Sequence, residues 1–191
     1  YIAKDPEKQA IIVAFRGTVP GSIRNYITDI IITRDSWESA PGTLIHRGFL
    51  DAWKEIQPQV TDDLIKLIRE NPTFQVGFTG HSLGGALATL SALDAIHKAP
   101  ELSKNENLFL TTFGQPRVGD EKFAKFVDEN IRAIRTIVRG DPVPPMGVNG
   151  VDGAKRVNAT KEVNATKEVD GTKEVIGTKG VNGVDRAKGY R

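Results

Sequence analysis

One short turn constrains this chain more than any other feature. Gly80-His81-Ser82-Leu83-Gly84-Gly85 stands between an apolar run, Phe74 to Thr79, and an Ala/Leu-rich run, Leu83 to His97. The first run has the length of a buried strand and the second that of a helix. A strand that passes into a helix through so tight a turn brings backbones into contact, and glycines at both flanks remove the Cβ atoms that would collide. This is the G-x-S-x-G elbow pattern in a strand–turn–helix setting. Ser82 is then held in a sharp, strained turn at the carboxyl edge of a sheet. There the helix N-terminus favours developing negative charge. The N–H of Leu83, the next residue, is placed to donate to an oxyanion. A glycine-rich turn without chemistry, or a phosphate cradle, has the same outline, but the lysine of a P-loop does not follow these glycines.

The surrounding pattern alternates. Ala10 to Phe15 is a continuous apolar, β-branched-rich run that reads as a buried strand, and it is taken as the first. Ser22 to Asp29 follows the Pro20-Gly21 turn and reads as a short helix. Phe49 to Glu70 carries Trp53, Ile56, Val60, Leu64, Leu67 and Ile68 at helical spacing. Pro58 predicts a kink or break in it, and Asn71-Pro72 ends it. Leu108 to Phe113 and Ala133 to Val138 read as strands. Lys122 to Ile131 reads as a helix with Phe123, Phe126 and Val127 on one face. Such alternation predicts an α/β domain with a largely parallel sheet flanked by helices, and a site at the strands' carboxyl ends.

Composition separates the chain into two parts. The overall net charge is only +2, against the strongly positive balance of a nucleic-acid binder, and there is no cysteine for disulfides, thiolate chemistry or Cys-based metal binding. No run of about 18 apolar residues predicts a membrane-spanning helix. Tyr1 to Lys8 are polar and charged, unlike a secretory signal. Val148 to Arg191 hold nine basic and six acidic residues and one aromatic, Tyr190, so residues 1–147 carry a net −1. Within that last part, Val157-Asn-Ala-Thr-Lys-Glu162 recurs at Val163 to Glu168 and, altered, as Val169-Asp-Gly-Thr-Lys-Glu174 and Val175-Ile-Gly-Thr-Lys-Gly180. A six-residue period fits either a β-solenoid or a low-complexity tail. So few large apolar groups favour an unordered tail. The sequons Asn158-Ala-Thr160 and Asn164-Ala-Thr166 are copies of one unit. The tail's positive charge also suits contact with acidic surfaces.

Four segments together resemble the class 3 lipase family of filamentous-fungal triacylglycerol lipases, with an α/β-hydrolase fold. They are Ile12-Val-Ala-Phe-Arg-Gly-Thr18, His46-Arg-Gly-Phe-Leu50, Thr79-Gly-His-Ser-Leu-Gly-Gly85 and Phe113-Gly-Gln-Pro-Arg-Val-Gly119. The resemblance covers about Ala10 to Pro145. It implies hydrolysis of lipid esters at a lipid–water interface through an acyl-enzyme, without metal or organic cofactor, in a secreted protein. It makes Ser82 the nucleophile in the elbow of Gly80, His81 and Gly84. Leu83 and Thr18 become the oxyanion donors. Asp141, in Asp-Pro-Val-Pro, becomes the triad acid, although Asp-Pro also caps turns. Ser22, Ile23, Tyr26 and Ile27 fall in the segment similar to the family's amphipathic lid; an ordinary surface helix fits them equally.

The resemblance also implies a triad histidine about fifty residues beyond the aspartate, where this chain has its repeat. Its three histidines are His46, His81 and His97. His46 belongs to a different family segment, and His81 leaves the elbow beside Ser82 in another direction. His97 lies fifteen residues after Ser82 on one helix, about 22 Å away. The sequence therefore fits a piece of a longer lipase, a product with a replaced C-terminus, or a catalytically silent lipid- or partner-binding relative. Each predicts little turnover.

Overall fold

Parallel pairing runs through the middle of a seven-stranded sheet whose strand order is β8-β7-β6-β5-β2-β1-β9. The computed structural model describes residues 1–17, 33–104, 107–137, 143, 155–158 and 174–176. The strands are β1 (Ile2–Asp5), β2 (Ala10–Phe15), β5 (Gln75–His81), β6 (Leu108–Phe113), β7 (Arg132–Ile137), β8 (Lys155–Asn158) and β9 (Glu174–Ile176). β3 (Arg34–Asp35) and β4 (Ile45–His46) form a separate two-stranded pair. The helices are α1 (Arg47–Glu70), α2 (Leu83–Lys98) and α3 (Glu121–Asn130). This is the expected α/β architecture.

Register explains the core. Ile11, Val76 and Leu108 stand side by side across β2, β5 and β6, and Val13, Phe78 and Leu110 form the next row. All six are buried on the face covered by the helices. α2 lies against β2, β5 and β6 and is buried on nearly every side, as its Ala-rich, uniformly apolar sequence requires. α1 packs on α2 and sends Trp53, wholly buried, edge-on against Phe15 at a ring-centroid separation of 6.0 Å. On the opposite face, Phe113 and Ile134 are each 43% exposed. The described helices lie on the first face only. No helix among the described residues is long and apolar enough to cross a membrane.

Two expectations are corrected. Pro58 does not break α1, which runs through it. Pro58 and Lys54, four residues back, are both exposed, so the proline lies on the solvent side of the helix. The sheet also has a strand before Ala10: β1 pairs antiparallel with β2, Ile2 opposite Val13 and Asp5 opposite Ala10. Lys4 and Asp5 hide it, because only Ile2 of the four is fully buried. The Pro6-Glu7 turn closes through Lys8 N–H donating to Asp5 Oδ1 at 3.1 Å and a left-handed Gln9. Within residues 148–191, β8 pairs with β7 and β9 pairs with β1. The rest of residues 148–191 lies outside the described residues.

A buried carboxylate not foreseen from the sequence ties the helical layer together. Asp94 of α2 is fully buried and accepts from Ser39 Oγ at 3.0 Å, Gln57 Nε2 at 3.0 Å and Thr61 Oγ1 at 2.8 Å. Lys98 Nζ lies 3.6 Å from it. One charge thus joins α2 to α1 and to the chain at Ser39, and these donors meet the requirement that a buried ion be hydrogen-bonded.

Candidate active site

Ser82 sits where β5 becomes α2, with φ 54° and ψ −124°. That is a left-handed φ in a residue with a side chain, strain that persists only where the surroundings enforce it. The enforcement is visible. A Cβ on Gly80 would run into the backbone of Gly84, and one on Gly84 would overlap the end of β2, 2.8 Å from the Phe15 carbonyl carbon and 2.9 Å from that of Arg16. β2, β5 and the first turn of α2 therefore meet backbone to backbone. Gly17 closes on the same point: its Cβ would lie 2.6 Å from the His81 carbonyl oxygen and 3.6 Å from Ser82 Cβ. Ser82 N–H donates to the Phe113 carbonyl at 2.9 Å, fastening the elbow to β6 as well. The Ser82 side chain makes no capping bond to the helix and is 1% exposed.

A polar network beneath the elbow holds the first turn of α2. Thr89 Oγ1 donates to the Gly85 carbonyl at 2.9 Å and accepts from Gln115 Nε2 at 3.0 Å; Thr112 Oγ1 donates to Gln115 Oε1 at 2.6 Å. Arg135, buried in β7, donates to the Gln115 carbonyl. A Cβ on Gly85 would lie 3.1 Å from that of Gln115, a tight contact that the Gln115 side chain would have to give way to. Gln115 belongs to the Phe113-Gly-Gln-Pro-Arg-Val-Gly119 segment, but nothing in the sequence marks Thr89 or Thr112 as its partners.

Of the other expected site residues, Leu83 opens α2, and its N–H is among the helix's first donors, which have no intrahelical acceptor. Gly80 and His81 end β5, and Gly84 lies in the first turn of α2. Thr18 lies outside the described residues, although Gly17 before it packs on the elbow. Asp141 also lies outside them, as do the lid candidates Ser22, Ile23, Tyr26 and Ile27. β7 ends at Ile137, one register position beyond Thr136, which stands beside Phe113 of β6, itself beside His81 of β5. The three parallel strands thus finish on the same side as Ser82.

None of the histidines has the setting of a general base for Ser82. His81 is exposed at the end of β5, and His97 is exposed in the last turn of α2. His46 is buried and caps α1: its Nδ1 accepts from Gly48 N–H at 3.2 Å and its ring lies 4.7 Å from that of Phe49. Burial lowers its pKa below 6.5, only partly opposed by the bond at its own backbone. An unfolded His46 thus takes up a proton at higher pH than the folded one. Its contribution to stability is complete above about pH 6.5 and falls as the pH drops toward the folded value. Asn in its place keeps a capping acceptor that does not titrate. The urea midpoint should therefore decline less between about pH 7 and pH 5 in His46→Asn than in the unaltered chain. Equal declines would show that His46 does not carry this dependence. Asp128, whose pKa burial raises, acts in the opposite sense and is common to both proteins.

Comparison with known proteins gives concordant results. The family model described as Lipase (class 3) matches residues 12–149. The lipase of Rhizomucor miehei is 41% identical over 144 residues, which are 75% of this chain and 39% of that protein. Secreted mono- and diacylglycerol lipase 1 of Fusarium solani is 37% identical over 146 residues, 75% of this chain and 41% of its own length. Among solved structures, the native propeptide complex of Rhizomucor miehei lipase superposes with a TM-score of 0.69 at 41% identity. That match covers 75% of this chain and 45% of the solved one. The chain thus spans about two fifths of the length of the curated relatives it matches.

Proposed function

Since the chain belongs to the class 3 lipase family, we propose that it carries the nucleophile and oxyanion half of a serine ester hydrolase acting on acylglycerols. The observation that carries this reading is the strained, glycine-enforced Ser82 at the N-terminus of α2. Its Oγ would attack the ester carbonyl carbon while its proton passes to an imidazole. The carbonyl π electrons move onto oxygen, where the N–H groups of Leu83 and Thr18 stabilise the charge. Collapse of this intermediate expels the alcohol, protonated by the imidazolium, and leaves an acyl-enzyme. Water then attacks it by the same steps and releases the fatty acid. Asp141 would fix the imidazole tautomer and stabilise the imidazolium, and residues 22–27 would act as the lid at a lipid surface. No metal or organic cofactor enters this route. The relatives' names support lipid-ester substrates and a secreted parent protein.

The placement of the three histidines favours a second reading, in which the chain is a silent hydrolase-fold binder. A fluorophosphonate, which loses fluoride to a serine hydroxyl and does so quickly only where a base takes up the serine's proton, separates the two by the site and pace of labelling. The hydrolase reading expects slow, single-site labelling mapped to the peptide containing Ser82 and absent in Ser82→Ala. No label at Ser82, with saturable fatty-acid binding, would overturn it in favour of the binder.

A further inference from the structure

We propose that the outer edge of β1 is a strand-addition site whose ligands are the units of the chain's own repeat. The unit is a tetrad Lys-x-Val-x. It occurs five times at six-residue spacing: Lys155-Arg-Val-Asn158, Lys161-Glu-Val-Asn164, Lys167-Glu-Val-Asp170, Lys173-Glu-Val-Ile176 and Lys179-Gly-Val-Asn182. β8 is the first tetrad, and β9 is the last three residues of the fourth. Both ends of the sheet are thus covered from the same phase of the repeat, one parallel to β7 and the other antiparallel to β1. A bare β1 edge would leave a row of unpaired backbone groups, the template that edge strands must hide.

The period makes the units interchangeable. A slip of one residue would turn every side chain to the other face of the sheet, whereas a slip of six, an even number, preserves the alternation. In the observed register Glu174 stands opposite Lys4, Val175 opposite Ala3 and Ile176 opposite Ile2. Shifted by one or two units, Glu168-Val-Asp170 or Glu162-Val-Asn164 takes these positions with the Glu–Lys and Val–Ala pairings unchanged. The remaining difference is the residue opposite Ile2, which is buried. Of the five tetrads, only the fourth offers an apolar residue there, and this selects Glu174–Ile176 over its copies.

Amide hydrogen exchange on the full chain reads this edge directly. Tyr1 and Ala14 exchange both backbone bonds, so the N–H groups of Tyr1, Ala3 and Asp5 face β2, and those of Ile2 and Lys4 face β9. Protection at Ile2 and Lys4 therefore reports strand addition, and protection at Ala3 reports that the sheet is intact. In Ile176→Pro, which removes a donor to β1, protection at Ile2 and Lys4 should drop about tenfold but persist, as another unit takes the site. Adding Asn164→Pro, Asp170→Pro and Asn182→Pro should abolish it while Ala3 stays protected. The assignment is overturned if Ile2 and Lys4 exchange freely in the unaltered chain, or if Ile176→Pro alone abolishes their protection. Protection that grows with protein concentration would also overturn it, since the occupant would then belong to a second copy.

Discussion

Imidazole added to the purified chain should raise its hydrolysis of a short-chain p-nitrophenyl ester well above the sum of the two separate rates. Ser82→Ala should remove the excess entirely. The reason lies in what the elbow supplies and what it lacks. Ser82 is positioned, strained and next to Leu83, whose N–H has no intrahelical acceptor, but His46, His81 and His97 all stand in other settings. A positioned general base contributes about 10²–10⁴-fold to such reactions. A diffusible imidazole recovers only part of this, so an increase of about tenfold at high imidazole is expected. The Ser82→Ala protein corrects for hydrolysis by imidazole itself. If both proteins respond alike, the elbow offers no activated nucleophile.

The second large effect is structural. Gly84→Ala should cost about 3 kcal/mol or more, because the added methyl meets the backbone of Phe15 and Arg16 rather than a side chain that can swing away. At about 2–4 °C per kcal/mol for a chain of this size, the thermal midpoint should fall by roughly 6–12 °C. Gly42→Ala makes the matching control. Its φ is +77°, yet nothing lies within 4 Å of the added atom, so only the left-handed strain of about 1 kcal/mol remains. A Gly84→Ala protein as stable as Gly42→Ala would mean that β2 and α2 do not touch as described.

Much of this architecture was legible because it follows from local pattern. Ala10–Phe15 and Leu108–Phe113 are strands at the bounds their apolar runs predict, and α2 begins at the residue after the nucleophile candidate. The glycines of the elbow were readable because backbone contact leaves a sequence trace: no other residue fits. What stayed hidden depends on tertiary partners. β1 is a strand because Ile2 fits beside Val13, not because its four residues look like one. Pro58 lies inside a helix that continues through it, on the exposed side, which its own sequence window does not announce. The links among Gln115, Thr89 and Thr112 span 26 and 3 residues, and those of Asp94 span up to 55, with no motif to announce them. The repeat looked too polar to order alone. Its two described strands lie at the two edges of the sheet.

The account's central claim, that Ser82 is a competent nucleophile separated from its base, is tested most directly by the mass of the protein during reaction with an activated short-chain ester. Without a base, deacylation is slow as well as acylation, so the account predicts one acyl group accumulating on the peptide that contains Ser82, and none in Ser82→Ala. Ester consumption without an adduct on that peptide, or an adduct on another residue, would contradict it.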